Sequence, residues 1–261
     1  MTYASYNTIG KGYDTTRRAD PYLTQRIHAL LGLPAGSEVL DIGCGTGNYT
    51  AALQARGLRL AAIDPSERML TEAREKSDAI AWWQGTVEAL PFEDGSFAGA
   101  IATLTTHHWA DMVQGFREAY RVLCPGAPIV ILTSTPEQMQ HYWLCHYFPA
   151  IMERSCAVMP GASTTDRALI AAGFSMTEHE PYSVRPDLQD LFLYSAKDDP
   201  ARYLDPGFRN GISTFSALSD EGELGTGLEQ LERDIANGTW QAIRQRAEHE
   251  SGDYLFVKAV R

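Results

Sequence analysis

The run Asp41-Ile42-Gly43-Cys44-Gly45-Thr46-Gly47-Asn48 sets three glycines at alternate positions directly after an acid. Glycine tolerates positive φ and lets a ligand approach the backbone closely, so such a run can form a tight loop under a cofactor. A second acid, Asp64, follows 23 residues later, at the end of another apolar run. A carboxylate there can accept hydrogen bonds from two adjacent ribose hydroxyls, as in nucleotide-cofactor folds generally. Dinucleotide loops read GxGxxG and receive a pyrophosphate at the start of a helix. Here Asn48 stands where the third dinucleotide glycine would fall. Asp41 would repel a pyrophosphate and would suit the ammonium of an amino-acid tail. Both points favour a nucleoside bearing an amino-acid tail over NAD.

Two further groups of residues could do chemistry. Thr105-Thr106-His107-His108-Trp109 follows an apolar strand pattern. A histidine there can take a proton near neutral pH. His107 is preferred over His108 because it lies closer to the strand end. The stretch Thr135–Gly161 is rich in aromatics and histidines, and His141, Tyr142 and His146 are its candidates for binding substrate. His141 and Cys145 are spaced for one helix face, but no carboxylate or second cysteine sits at matching spacing, so no metal site is expected.

The elements that must position these residues can be read from periodicity. Pro21–Leu33 is an amphipathic helix, broken by Pro34-Ala35-Gly36. Strands are expected at Glu38–Ile42, Leu58–Ile63, Ile80–Gln84, Phe97–Leu104 and Ala127–Leu132. Helices alternate with them at Asn48–Arg56, Glu67–Lys76 and Asp111–Leu123. After the aromatic stretch come a helix at Thr165–Ala172, a strand near Ser175–Val184 and a final strand at Asp253–Val260. Such alternation predicts an α/β fold, a doubly wound, mainly parallel sheet with helices on both faces. Ligands in these sheets lie outside the carboxyl ends of the strands. The loops after Ile42, Ile63, Gln84 and Leu104 should therefore line the site. The expected organisation is one domain over residues 1–261, with a cofactor core at 36–134, a lid-like segment at 135–161 and a helical insertion at 185–251.

The glycine loop resembles motif I of class I S-adenosylmethionine-dependent methyltransferases, most closely the branch with the ubiquinone/menaquinone-type (type 11) domain. Further segments match that family in order. Ala61-Ala62-Ile63-Asp64-Pro65-Ser66 resembles its second-strand acid, and Met69 the Met-Leu pair just beyond that strand. Gln84–Phe92 resembles its adenine-side motif, and Tyr120–Gly126 the turn before its fifth strand. The likeness is good over about residues 10–135 and weaker over 163–184 and 252–261. It implies a Rossmann-like sheet of seven strands with the last one antiparallel, a SAM cofactor and methyl transfer by in-line displacement. By the same resemblance Asp41, Gly43 and Gly45 face the methionine part of SAM, and Cys44 belongs to the cofactor set. Asp64 holds the ribose, and Pro65 and Met69 pack near adenine. Thr86, Val87, Glu88 and Thr103 complete the cofactor set, with Tyr13 and Arg17 folding over it from the N-terminal side. Thr86 stands where the family often has an acid, and Ala98 replaces another. The paired histidines, His107 and His108, also resemble a feature of this branch.

Bulk properties narrow the acceptor. The net charge is −11, and Arg17-Arg18 is the one basic cluster. Nucleic-acid binders neutralise phosphates with basic surface, so RNA methylation ranks below a small-molecule acceptor. No apolar run approaches the roughly 18 residues of a membrane span. The four cysteines form no CxxC pair, which favours a reduced, cytoplasmic compartment. A non-catalytic SAM-binding module and an NAD(P)-dependent oxidoreductase are the rival classes. A homodimer is among the expected assemblies.

Overall fold

The computed structural model describes residues 16–218 and 220–261. Helix α1 (Pro21–Leu31) begins where the Asp20 side chain accepts from the Leu23 N–H, with proline at the first helical position. It ends at Gly32, which takes the left-handed conformation. Its apolar stripe, Leu23, Ile27, Leu30 and Leu31, is buried against the sheet.

The sheet is built from β1 (Glu38–Ile42), β2 (Arg59–Asp64), β3 (Ala81–Gln84), β4 (Gly99–Thr103), β5 (Pro128–Thr133), β6 (Ser175–Tyr182) and β7 (Tyr254–Val260). Their order is β3-β2-β1-β4-β5-β7-β6. Strands β1 to β5 pair in parallel, and β7 lies antiparallel between β5 and β6. The sheet has the expected seven strands and antiparallel last strand. Strand β3 starts one residue later than the apolar pattern suggests, and β4 two residues later. Phe97 contributes an isolated bridge to Leu123 instead of a strand residue.

Helices α2 (Asn48–Gln54), α3 (Glu67–Arg74) and α4 (Met112–Val122) supply the crossovers between parallel strands. Alternate strand residues feed opposite faces. Val39 joins the layer containing α1 and α2, whereas Leu40 and Ile42 pack with Phe116 and Ala119 of α4. The strand order reverses between β2-β1 and β1-β4, which opens a crevice at the carboxyl ends of β1 and β4.

Residues after β5 form three short helices, α5 (Pro136–Met139), α6 (Leu144–Tyr147) and α7 (Pro149–Ala157). Helix α8 (Ala162–Ala172) precedes β6 and begins three residues before the expected Thr165. Between β6 and β7 lie α9 (Pro206–Asn210), α10 (Ser213–Leu218), α11 (Glu221–Asn237) and α12 (Thr239–Arg246). The two groups pack on one another. Glu223 accepts from the first free N–H groups of α7, at Ala150 (2.7 Å) and Ile151 (3.0 Å), and so caps a helix that starts with proline. Trp143 is buried between Tyr147, Tyr203 and Trp240 in edge contacts. Among the described residues, no helix is long and apolar enough to cross a membrane.

Candidate active site

Gly43, Gly45 and Gly47 all have positive φ, at 73°, 55° and 75°. The start of the loop is pinned to β2, since the N–H groups of Gly43 and Cys44 both donate to the Ile63 carbonyl (2.8 and 3.1 Å). At Gly43 glycine is required twice over. A Cβ would lie 2.0 Å from Thr105 Oγ1, and the backbone is left-handed. The β1 loop and the β4 loop thus touch, and together they close the floor of the crevice.

A cavity of about 1030 Å³ lies over this floor, roomy enough for a nucleoside-sized ligand. Asp41, Gly43, Cys44, Gly45, Asp64, Pro65, Met69, Thr86, Val87 and Thr103 line it, as does Arg17. Those eleven expected cofactor residues are brought together. Glu88 is not among the lining residues. Its carboxylate accepts from the N–H groups of Ala110 and Asp111 and holds the turn into α4, a role that short-range spacing could not separate from cofactor contact. Tyr13 lies outside the described residues.

Two buried carboxylates dominate the electrostatics. Asp64 receives the Gly45 N–H on one oxygen and the Ser66 N–H on the other, both at 2.8 Å. Burial raises its pKa, and those two donors oppose the rise. Asp41 is 2% exposed and accepts from the Thr50 hydroxyl at 2.6 Å. Burial, then the nearby Asp64, pushes its pKa up to about 7 against the pull of Thr50. Among the described residues, no cation contributes to either shift. The Cys44 thiol is also pushed well up by burial, which leaves it a packing group and not a nucleophile.

One lining residue that spacing did not single out is Asp190. Asp190, on the chain leading into the insertion, is 1% exposed and ion-pairs with Arg17 (2.5 Å) while accepting from the Tyr49 hydroxyl (3.1 Å). The backbone closes the same junction, with Leu191 N–H donating to the Thr16 carbonyl at 3.0 Å. Trp109 and Asn48 also line the cavity. Asn48 follows the glycine loop and could have been suspected from the helix start. No local pattern marks Asp190.

Leu104 has φ 52°, the one non-glycine residue with positive φ among those described. Such a conformation costs a leucine roughly 1–2 kcal/mol. It is held where the Leu104 N–H donates to the Leu132 carbonyl at 2.7 Å. Past it, Thr106–His108 wind into a single 3-10 turn whose imidazoles lie 3.8 Å apart between centroids. His108 lines the cofactor cavity and His107 does not. Burial drives both pKa values down, His108 to about 4 and His107, which also feels His108, well below its ordinary 6.5. Both imidazoles are therefore neutral at physiological pH.

Three expected substrate residues lie elsewhere. Tyr142 is fully buried, stacked on Tyr194 at 3.9 Å, with its hydroxyl on the Asp253 carbonyl. His141 stacks on His249, and His146 contacts Gln230. None of them lines the cofactor cavity. An aromatic run satisfies the helix layer as readily as a binding surface, and its composition cannot tell which.

A methyltransferase domain model matches residues 40–131, from β1 to β5. Malonyl-[acyl-carrier protein] O-methyltransferase of Erwinia pyrifoliae is 33% identical over 205 residues, which cover 77% of this chain and 73% of the relative. The chain belongs to the methyltransferase family. A crystal structure described as a methyltransferase from an antibiotic biosynthesis pathway of Anabaena variabilis matches with a TM-score of 0.84 and 33% identity, over 94% of this chain and 98% of that one. The 27-O-demethylrifamycin SV methyltransferase of Amycolatopsis mediterranei is 24% identical over 99% of this chain and 98% of its own. A bifunctional biotin-biosynthesis relative is spanned over 26% of its length.

The cofactor of this methyltransferase is S-adenosylmethionine, and solved proteins of the same fold hold its product S-adenosylhomocysteine. The cavity fits that molecule. Asp41, a buried carboxylate whose pKa no described cation lowers, matches an ammonium. A second carboxylate at the end of β2, Asp64, with both oxygens already oriented by backbone donors, matches a ribose diol.

Proposed function

We propose that this methyltransferase acts on a small-molecule acceptor, with Asp41 and Asp64 holding the cofactor and the His107-His108 turn set between cofactor and acceptor. The observation that carries the reading is the pair of buried carboxylates at the ends of β1 and β2, neither with a cation among the described residues lowering its pKa, lining one cavity with the glycine loop between them. S-adenosylmethionine supplies a methyl group already activated on a sulfonium, so the protein has to align, desolvate and, for a protonated nucleophile, remove a proton. Arg17 lines the cavity on the cofactor side, its guanidinium held in a two-pronged pair by Asp190. Thr86, Val87 and the buried Met69 line the same cavity and are assigned to the adenine side by this reading. A neutral imidazole at His107 or His108 is the form that can accept a proton.

The relatives named above act on an acyl-carrier-bound malonyl group and on a rifamycin, which supports a metabolite acceptor in this chain too. The net charge of −11 supports the same choice over RNA. Four free cysteines support a cytoplasmic location. Calorimetric titration with S-adenosylhomocysteine, followed by an assay of its release against a metabolite panel, tests the reading. Binding is expected, weakened roughly 5- to 150-fold by Asp64→Ala. A chain that folds yet does not bind S-adenosylhomocysteine would overturn it.

A further inference from the structure

Behind Leu104 lies a second cavity of about 700 Å³. Its walls include His107, Met139 of α5, Met159 just after α7, Phe192 and Ile212 of the insertion, and Tyr254 at the start of β7. Among the described residues it shares only Arg17 and Leu104 with the cofactor cavity. The strained Leu104 thus stands at the partition, and the 3-10 turn beyond it sends His108 to one cavity and His107 to the other. Strain at one bulky residue, placed where two cavities meet, is the pattern of a functional constraint and not of a loop.

The chemistry of the wall is specific. Among the described residues, no carboxylate lines the cavity and its one cation is Arg17. That guanidinium is matched by the buried Asp190 in a two-pronged pair. The hydroxyls of Ser155 and Thr214 hydrogen-bond each other at 2.9 Å. The remaining lining is mixed: Met139, Met159, Val158, Leu193, Phe192 and Ile212 are apolar, and Ser134, Ser213 and Tyr254 carry hydroxyls. Against this background His107 has its Nδ1 buried without a partner. A charged ligand would lose its hydration there and find no free counter-charge. An uncharged one gains contact with the apolar part of the wall and lies beside His107.

We infer that this cavity is the acceptor site, and that the acceptor is an uncharged molecule of mixed polarity whose nucleophile is a hydroxyl presented to His107. This rests on the methyl-transfer reading above and adds the substrate class. In the step, the acceptor oxygen bonds to the methyl carbon as the carbon–sulfur bond breaks. The bond pair stays on sulfur, and the hydroxyl proton passes to a ring nitrogen of His107 and then to solvent. A methyl ether and S-adenosylhomocysteine result, so atoms and charge balance. A carboxylate acceptor would need no base and would meet a wall without a free cation.

The test uses 2-naphthol and its carboxylated counterpart 6-hydroxy-2-naphthoate as probes. Each is titrated by calorimetry into the full chain held with saturating S-adenosylhomocysteine. Binding of 2-naphthol is expected, at least tenfold tighter than the carboxylate. Met159→Trp and Leu193→Trp, each filling the cavity from a half-buried position, should weaken 2-naphthol at least tenfold with S-adenosylhomocysteine affinity unchanged. In an activity assay His107→Asn should lose methoxynaphthalene formation while retaining naphthol binding. The inference is overturned if the carboxylate binds as well as the naphthol, if neither probe binds, or if the naphthol is indifferent to a variant that still holds S-adenosylhomocysteine. Should either tryptophan disturb folding, the comparison of the two probes on the unsubstituted chain decides alone. Failure of the methyl-transfer reading looks different, because S-adenosylhomocysteine itself would then not bind.

Discussion

Arg17 and Asp190, 173 residues apart, form a two-pronged ion pair at the wall of the cofactor cavity, with Nε 2.5 Å from Oδ1 and Nη2 3.2 Å from Oδ2. The carboxylate is 1% exposed and also accepts from Tyr49 of α2. One side chain of the insertion thereby fixes the N-terminal segment and the first crossover helix at once. Charge-assisted, bidentate geometry of this kind is the strong form of a hydrogen bond.

Asp190→Ala should therefore cost stability. Breaking a buried pair by removing one partner costs about 3–5 kcal/mol. Arg17 keeps some access to water, at 17% exposure, so about 2–3 kcal/mol is expected once solvent screening is counted. That corresponds to a fall in Tm of about 4–12 °C for a chain of this size. Thermal unfolding measures it, and an unchanged Tm would mean that the pair does not hold the two segments together.

Asp64→Ala should weaken S-adenosylhomocysteine by about 1–3 kcal/mol, roughly 5- to 150-fold, because the ribose loses its acceptor and the Gly45 and Ser66 N–H groups lose theirs. Calorimetry at constant pH reads this directly. Equal affinities for variant and wild type would remove Asp64 from the ribose.

Asp41 should make both stability and cofactor binding depend on pH. Its pKa rises from an ordinary 3.8 to about 7 in the folded chain, so between those values the folded state holds the proton more tightly than the unfolded one. Stability of the cofactor-free protein then falls as pH rises through that window, with a limiting slope of about 1.4 kcal/mol per unit. Asp41→Asn should flatten that slope. An ammonium bound beside Asp41 favours the carboxylate, so cofactor binding at about pH 6, inside that window, should release a proton, detectable as a dependence of calorimetric heat on the buffer. No buffer dependence in the wild type, or an undiminished slope in the variant, counts against Asp41 as the ammonium partner.

Gly43→Ala should be among the most damaging small substitutions in the chain. The added Cβ would sit 2.0 Å from Thr105 Oγ1 on a backbone with φ 73°. Overpacking and left-handed strain together amount to about 2–4 kcal/mol. Denaturant unfolding should register the loss, and S-adenosylhomocysteine affinity should fall with it. Gly45→Ala meets no neighbour within 4 Å, so it carries only the backbone strain and should be milder.

His107 should act as a base that is always available. Burial and the adjacent His108 keep its pKa well below 6.5, and a base works in its neutral form, above its pKa. The rate should not decline from about pH 8 to about pH 6.5 on its account. His107→Asn should lower kcat by about 10²- to 10⁴-fold with S-adenosylhomocysteine affinity unchanged. A wild-type profile that falls below about pH 7.5 with histidine-like steepness, and flattens in the variant, would show that His107 titrates in the ordinary range.

Much of the architecture is legible locally. Strands β1, β2 and β5 are short buried runs closed by helices with clear starts and stops, such as Asp20 and Ser66 as caps and Gly32 and Gly173 as ends. The boundaries of β3 and β4 slip because Ile80 and Phe97 are buried by packing without pairing along a strand, and burial is what an apolar pattern reports. The cofactor site is legible for a related reason: in a doubly wound sheet the loop after each strand must arrive at one edge. Asp41, the three glycines and Asp64 then converge by topology.

The substrate side is not legible in that way. His141, Tyr142 and His146 carry suitable groups, yet α5 and α6 turn them toward His249, Tyr194 and Gln230. Their direction is set by what the insertion offers as a partner, and those partners lie about 50 to 110 residues further along the chain.

By itself the sequence determined the sheet, the crossover helices and the cofactor loop with its two acids, because each depends on the spacing of neighbours along the chain. Only the tertiary structure decided that Asp190 closes the cofactor cavity, that Leu104 stands between two cavities, and that the adjacent imidazoles of His107 and His108 serve different ones. Those facts depend on contacts between segments joined only through the folded core, and no period or motif along the chain encodes the distance between them.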